Sequence, residues 1–236
     1  MNASVFKAIL LIARPAAGKS EIIDFLARLP DVERSHDYHI GKLTVIDDFP
    51  MLWTWFEEDD ILTRLGHPRL HTSTDGNFKD IYLWDLLVER ICLDYAKFRR
   101  DHSEDDTAII EFSRGSQHGG YQRAFEHLSE AVLKDLAILY VDVPWEESLR
   151  KNRKRFNPDR PDSILEHGLS DEKMEQLYKE IDWQTIIRDQ PEYLTIKGIR
   201  VPYAIFDNHD DVTTRGGNDL GSRLGTCLDG LWRQVC

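Results

Sequence analysis

An apolar segment that runs straight into a glycine-lysine-serine turn constrains this chain more than any other feature. Val5 to Ile12 is apolar apart from Lys7, as a central parallel strand requires. Ala13-Arg14-Pro15-Ala16-Ala17-Gly18-Lys19-Ser20 follows, and Ile22, Leu26 and Leu29 then recur at helical spacing until Pro30. A strand, a glycine-bearing loop and a helix in immediate succession form a cradle for phosphate. The loop turns backbone N–H groups inward, Gly18 keeps the approach free of a side chain, and the helix adds the positive end of its dipole. The spacing is that of a P-loop, with Ala13 where glycine is commonest. Lys19 is expected to reach the β- and γ-phosphates, and the Ser20 hydroxyl to ligate Mg²⁺. Ala13, Arg14, Pro15, Ala16, Ala17, Gly18, Lys19 and Ser20 are together the expected nucleotide-binding residues.

The rest of the chain repeats the alternation. Strands are expected at Leu43 to Ile46, Thr107 to Phe112, Leu136 to Val143 and Val201 to Phe206. Between them, Ile81, Trp84, Val88, Ile91, Tyr95 and Phe98 mark an amphipathic helix, and another is expected around Gln122 to Lys134. Such alternation predicts an α/β fold, with a parallel sheet covered on both faces in a three-layer, single domain spanning 1–236. Met51 to Asn77, rich in Trp and acids, reads as an insertion after the second strand. Leu224, Leu228 and Leu231 predict a final helix, which Gly221 and Gly225 would let approach its neighbour closely.

A phosphate-bound Mg²⁺ needs a further carboxylate, and two strand ends offer one. Thr107-Ala108-Ile109-Ile110-Glu111 is an apolar strand closing in an acid, a full crossover downstream. Leu43-Thr44-Val45-Ile46-Asp47-Asp48 has the same shape but lies so soon after Ser20 that only one helix is expected between them. A solvated turn before Pro50 is the bland reading of Asp47-Asp48. After the fourth strand, Arg150-Lys151-Asn152-Arg153-Lys154-Arg155 concentrates cations in an otherwise acidic chain. On a helix Arg150, Arg153 and Lys154 share a face. They read either as a lid near 145–165, extended by Arg160, that neutralises a transferring phosphoryl group, or as a basic helix paired with the acidic stretch Asp171 to Glu180. Arg114 could meet an acceptor phosphate or cap a helix, and Arg69 is a weaker candidate for the same task. His67 and His71 are separated by Pro68, which argues against a helical metal pair.

Charge narrows the partners. With 42 acidic against 30 basic residues the net charge is −12, which repels nucleic-acid backbone and anionic membrane. Cys92, Cys227 and Cys236 form no CxxC pair, as expected of a reduced, cytoplasmic compartment. The apolar run from Ala8 to Ala13 is too short to span a membrane and leads into Arg14 and Pro15 rather than a cleavage site.

RPAAGKS, the IIEFSRG strand end and the RKNRKR segment, in that order, resemble the P-loop small-molecule kinases, the nucleoside and nucleotide kinase-like group, over Val5 to Asn208. The resemblance implies a five-stranded parallel sheet, MgATP as phosphoryl donor and an arginine-bearing lid after the fourth strand. Lys19 and Ser20 match the motif directly, while Glu111 and Arg150 or Arg153 match by position. In that arrangement the third strand supplies the metal acid, Glu111, and the second the acceptor-binding acid, Asp47. Tyr203 to Asn208, ending the fifth strand, leads into the loop where such kinases often hold adenine, which makes Asn208 either a candidate contact or a turn asparagine. The third strand lacks the adjacent Glu-Arg pair of thymidylate and deoxynucleoside kinases, because Arg114 is displaced from Glu111. The expected activity is transfer of the γ-phosphoryl of ATP to a small-molecule acceptor, with Lys19, Asp47, Arg150 and Arg153 as catalytic residues. Rival readings are an NTPase with Asp47-Asp48 as metal acid, and a nucleotide sensor without turnover that forms a homodimer through the Gly221–Gly225 helix. No NKxD segment supports a GTPase and no LSGGQ signature a transporter ATPase.

Overall fold

The computed structural model describes residues 5–155 and 169–235. Its strands are β1 (Ala8–Ile12), β2 (Lys42–Asp47), β3 (Asp106–Phe112), β4 (Leu136–Asp142), β5 (Tyr193–Ile196) and β6 (Ile199–Asp207). The helices are α1 (Lys19–Arg28), α2 (Asp31–Tyr38), α3 (Phe49–Arg64), α4 (Tyr82–Asp101), α5 (Gly120–Glu126), α6 (Glu130–Asp135), α7 (Trp145–Arg155), α8 (Asp171–Tyr178), α9 (Trp183–Ile187), α10 (Val212–Arg215) and α11 (Gly217–Val235). The sheet has six strands in the order β2-β3-β1-β4-β6-β5. All neighbours pair in parallel except β5 and β6, which are antiparallel.

The expected five parallel strands are therefore joined by a sixth. Tyr193–Ile196 folds back on β6 through Lys197 and Gly198, both with positive φ, a tight turn that an antiparallel edge strand can use and a parallel one cannot. The single helix expected between the first two strands is two, because Pro30 ends α1 and at once serves as N-cap of α2. The single helix expected around Gln122 to Lys134 is also two, since the Ser129 hydroxyl accepts from Val132 N–H (3.3 Å) and restarts the chain as α6. The segment expected as an insertion is mostly α3. Residues 156–168, including Arg160 and the far part of the expected lid, lie outside the described residues.

The period of two along β1 sorts the core into two layers. Ala8, Leu10 and Ile12 pack with Val88, Ile91 and Tyr95 of α4 and with Trp183, while Ile9, Leu11 and Ala13 pack with Ile22 and Leu26 of α1 and Leu224 and Leu228 of α11. β1, buried on both faces, brings the loop that follows it to the middle of the sheet's carboxyl edge. Chain connections leave β1 toward β2 on one side and return from β3 to β4 on the other, which opens a crevice at that edge. A Cβ on Gly221 would come within 2.9 Å of Tyr38 Oη and 3.0 Å of Phe25 Cζ, so the glycine face of α11 is occupied within the chain. No helix among the described residues is long and apolar enough to cross a membrane.

Candidate functional site

Ala13 to Ser20 curls over the end of β1 and is pinned from behind. Tyr121 Oη donates to Ala13 O (2.9 Å), Ser148 Oγ to Pro15 O (2.7 Å) and Asn208 Nδ2 to Ala17 O (2.9 Å). With these carbonyls held by the fold, the N–H groups of the first turn of α1 stand ahead of its first intrahelical bond, made by Ile22 N–H to Gly18 O (3.1 Å). Gly18 takes φ 107°, and a Cβ there would meet Thr213 Oγ1 at 2.4 Å, so both backbone and space require glycine. Ala16 also sits in the left-handed region, at φ 55°. Arg14 turns away, its guanidinium donating to the carbonyls of Val143, Tyr178 and Lys179 and fastening the loop to the start of α7 and the end of α8.

Pro15, Ala16, Ala17, Gly18, Lys19 and Ser20 line a cavity of about 1760 Å³, whereas Ala13, Arg14 and Asn208 support the loop from outside it. Asn208 was expected beside a base. It is fully buried, with Nδ2 also on Thr213 Oγ1 (2.9 Å) and Oδ1 accepting from Thr213 N–H (3.1 Å). Lys19 is 7% exposed; its Nζ donates to Ser113 Oγ (2.8 Å) and lies 3.6 Å from Glu111 Oε1. Asp47 stands in register with Glu111 on the neighbouring strand and accepts from Phe49 N–H (3.0 Å). Burial first, then the charges of Glu111 and Asp48, push its carboxyl up to about 7 against the opposing pull of Phe49 N–H and Lys19. Asp48 and Arg114 form a buried ion pair (2.6 Å) rather than a solvated turn.

The basic segment divides. Arg150, Lys151, Lys154 and Arg155 line the cavity; Arg153 is outside it, paired with Asp171 (2.6 Å) as the acidic-helix reading expected. Arg150 pairs with Glu147 and with Asp211 (3.2 Å). Lys151 reaches Asp211 (2.9 Å), Glu21 (3.4 Å) and Thr213 Oγ1 (3.3 Å) beside the loop. Arg69 is a clasp, bonded to Thr72 and Asp60.

α3 roofs the other half of the cavity with Phe49, Trp53 and Phe56, and Phe78, Trp84 and His118 continue that wall. Sequence reasoning missed Ser113, Thr213, His118 and this wall. The spacing of Phe49, Trp53 and Phe56, one helical face, was the available signal. Among the described residues no group of three or more His, Cys, Asp or Glu side chains could hold a metal ion. Oxygen donors near the loop include the exposed Ser20 hydroxyl and the carboxylates of Glu111 and Asp47.

No family model and no curated protein matches this chain. Similar solved structures include a sugar kinase from Janibacter sp. HTCC2649, unliganded, at 14% identity over 98% of this chain and 98% of that one, with a TM-score of 0.41. Another is APE1195, at 13% identity over 99% of this chain and 98% of that one, with a TM-score of 0.39. Likenesses this coarse leave the functional reading to the site itself.

Proposed function

We propose that this chain is an ATP-dependent phosphotransferase that moves a γ-phosphoryl group to a hydroxyl of a small-molecule acceptor. The observation that carries the reading is the juxtaposition at the cavity floor: the loop lysine Lys19 against Glu111, with Asp47 in register beside it. The residues present fit the group. Gly18 keeps the cradle clear of a Cβ, and Lys19 is a buried cation set among the loop's N–H donors. An all-oxygen donor set of Ser20 and Glu111 suits Mg²⁺, which keeps several waters and takes substrate phosphate oxygens.

When bound, MgATP supplies the transferable phosphoryl group and the cation that offsets its charge. Lys19, now on Ser113 and Glu111, is the residue that would take phosphate oxygens, and Ser20 and Glu111 are those that would hold the metal or its waters. Asp47 accepts the proton of the acceptor hydroxyl as that oxygen bonds to phosphorus and the bond to the ADP oxygen breaks. A carboxyl titrating near 7 is matched to that task at neutral pH. Arg150 and Lys151, held at the loop by Asp211, offset charge on the transferring group.

The test is ADP release from MgATP with and without a panel of nucleosides, nucleotides, sugars and small alcohols, with Lys19→Ala as control. ADP that needs one acceptor and disappears in the variant supports the kinase. Acceptor-independent ADP assigns an NTPase, and bound ATP without turnover a sensor.

A further inference from the structure

The cavity is electrically divided. Around the phosphate loop its lining carries Lys19, Arg150, Lys151, Lys154 and Arg155 against Glu21, Glu111 and Asp211, whereas the side under α3 carries Asp47, Asp48, Glu57, Asp60 and Asp80 against Arg64, Arg114 and Lys173. The buried cation of that second half is Arg114, 2% exposed, and it is already spent. Its Nη1 lies 2.6 Å from Asp48 Oδ2 and donates to Ser113 O (2.8 Å), and Nη2 donates to Trp84 O (3.4 Å). The guanidinium also stands 5.0 Å from the centroids of both Trp84 and Phe112. Of the other cations lining this half, Arg64 is exposed in the last turn of α3 and Lys173 donates to Gly76 O (2.8 Å).

Rings make the wall. Phe56 stacks on Phe78 (5.8 Å), Phe78 meets Trp84 edge-on (4.7 Å), and Trp84 stacks on His118 (3.7 Å). Phe49 and Trp53 form a second pair (6.1 Å). His118 adds no charge to this rib, because burial and then Arg114 hold its imidazole down to about 3. Half-buried ring faces of this kind take flat, weakly polar ligands.

We propose that the α3 half of the cavity takes an uncharged alcohol bearing a flat, unsaturated ring (a ring-bearing alcohol, as distinct from a saturated sugar such as glucose) in preference to its phosphate ester, and that Asp48 sets this choice by neutralising Arg114. The identification of this half as the acceptor site rests on the phosphotransferase reading; its charge selectivity does not. A phosphate entering here meets carboxylates and a buried guanidinium whose charge is already matched, so it leaves water without gaining that buried cation, and the exposed Arg64 offers it only a solvated charge at the rim.

The experiment is calorimetric titration with matched pairs: uridine and uridine 5′-monophosphate, pyridoxine and pyridoxine 5′-phosphate, glucose and glucose 6-phosphate. Each is run with and without a non-hydrolysable ATP analogue and Mg²⁺, so that a nucleotide ester is kept from the phosphate loop. At least one ring-bearing alcohol is expected to bind about tenfold or more tightly than its ester, and more tightly than glucose. In Asp48→Asn, which leaves the guanidinium unneutralised, the preference shrinks or reverses. Esters bound as tightly as the alcohols, glucose bound as tightly as either ring compound, no binding by any ring alcohol, or an unchanged ratio in folded Asp48→Asn would each overturn the proposal. If Asp48→Asn does not fold, the wild-type ratios decide. The same pairs in the ADP assay separate the two readings. Selective binding without phosphoryl transfer removes the kinase and keeps the selectivity, and turnover that prefers the esters does the reverse.

Discussion

Asp47 and Glu111 occupy the same register position on neighbouring parallel strands, and Lys19 lies 3.6 Å from Glu111. Two carboxylates thus stand beside one cation at the carboxyl edge of the sheet. Burial and the like charges of Glu111 and Asp48 push the Asp47 carboxyl up.

A pH dependence follows. The Asp47 carboxyl titrates near 7 in the folded chain, above the ordinary carboxylate value of ~4. The folded state therefore binds the extra proton between those values. The stability this contributes is complete below the ordinary value and is lost as pH rises through about 7. Asp47→Asn, permanently neutral, should be more stable than wild type by roughly 1–3 kcal/mol at pH 8.5, with the gap closing toward pH 4. Its acceptor-dependent turnover should fall about 10²–10⁴-fold and lose the limb of kcat/KM near pH 7. Urea midpoints across that range and a pH–rate profile check both; equal midpoints at pH 5 and pH 8.5 would contradict the titration.

Gly18 and Thr213 should be energetically coupled. A Cβ at Gly18 meets Thr213 Oγ1 at 2.4 Å and Cγ2 at 2.8 Å, on a backbone at φ 107°. Gly18→Ala should cost about 1–2 kcal/mol for the left-handed residue and about 1–3 kcal/mol for the overlap, and should abolish nucleotide binding. Thr213→Gly relieves the overlap but not the left-handed strain, and its own loss of the Asn208 and Lys151 hydrogen bonds is common to the single and double variants, so the double variant should be less damaged than the two single effects added, by about 1–3 kcal/mol. Denaturation midpoints of the four proteins measure the difference, and strict additivity would place the problem elsewhere.

The parts of the fold legible in the sequence are those whose signal is local. β1, its loop and α1 are contiguous, and β2 and β3 are apolar runs that end in acids. α2 left no apolar stripe because a polar side chain anchors it: buried Arg34 donates to Gly41 O (2.8 Å) and Leu29 O (3.2 Å) and pairs with Asp31 (2.6 Å). α3 was illegible for the opposite reason. Trp55 packs toward Leu83 and Leu87 while Phe49, Trp53 and Phe56 face the cavity, so the aromatic face those three form is masked by apolar residues on the other side of the helix. The Asp48–Arg114 pair and the Asn208–Ala17 bond join residues far apart in the chain, and no local pattern announces them.

Asp59 should prove to be the anchor of the loop after α3. Its buried carboxylate accepts from the N–H groups of Leu70 (2.6 Å), His71 (2.9 Å) and Thr72 (2.5 Å) and from Thr72 Oγ1 (2.7 Å). Burial pushes its carboxyl up, but these hydrogen bonds outweigh it and hold the group well below the usual carboxylate range. The stability it contributes is therefore present above ~4 and lost as pH falls toward the depressed folded value. Asp59→Asn turns one acceptor into a donor facing N–H groups and should cost about 2–4 kcal/mol at pH 7, with a smaller loss at pH 3. Urea denaturation at the two values tests this, and an equal loss at both would show that the charge is not what holds the loop.

Asn208 gives the sharpest test of whether this region reads the nucleotide or merely holds the loop that does. Its amide lies behind the loop, on Ala17 O and Thr213, and has no face toward the cavity. Asn208→Ala leaves buried Ala17 O and Thr213 N–H without these partners and should destabilise the chain by about 1–3 kcal/mol. A loosened cradle should weaken ATP and CTP alike by about tenfold, leaving their ratio unchanged. Asn208→Asp keeps the acceptor for Thr213 N–H but sets a carboxylate against Ala17 O, so it should weaken both nucleotides more than alanine does. Titration of the three proteins with each nucleotide decides the matter. A change in the ATP-to-CTP ratio would return Asn208 to the base, whereas parallel losses make it the residue that fixes where the phosphates sit.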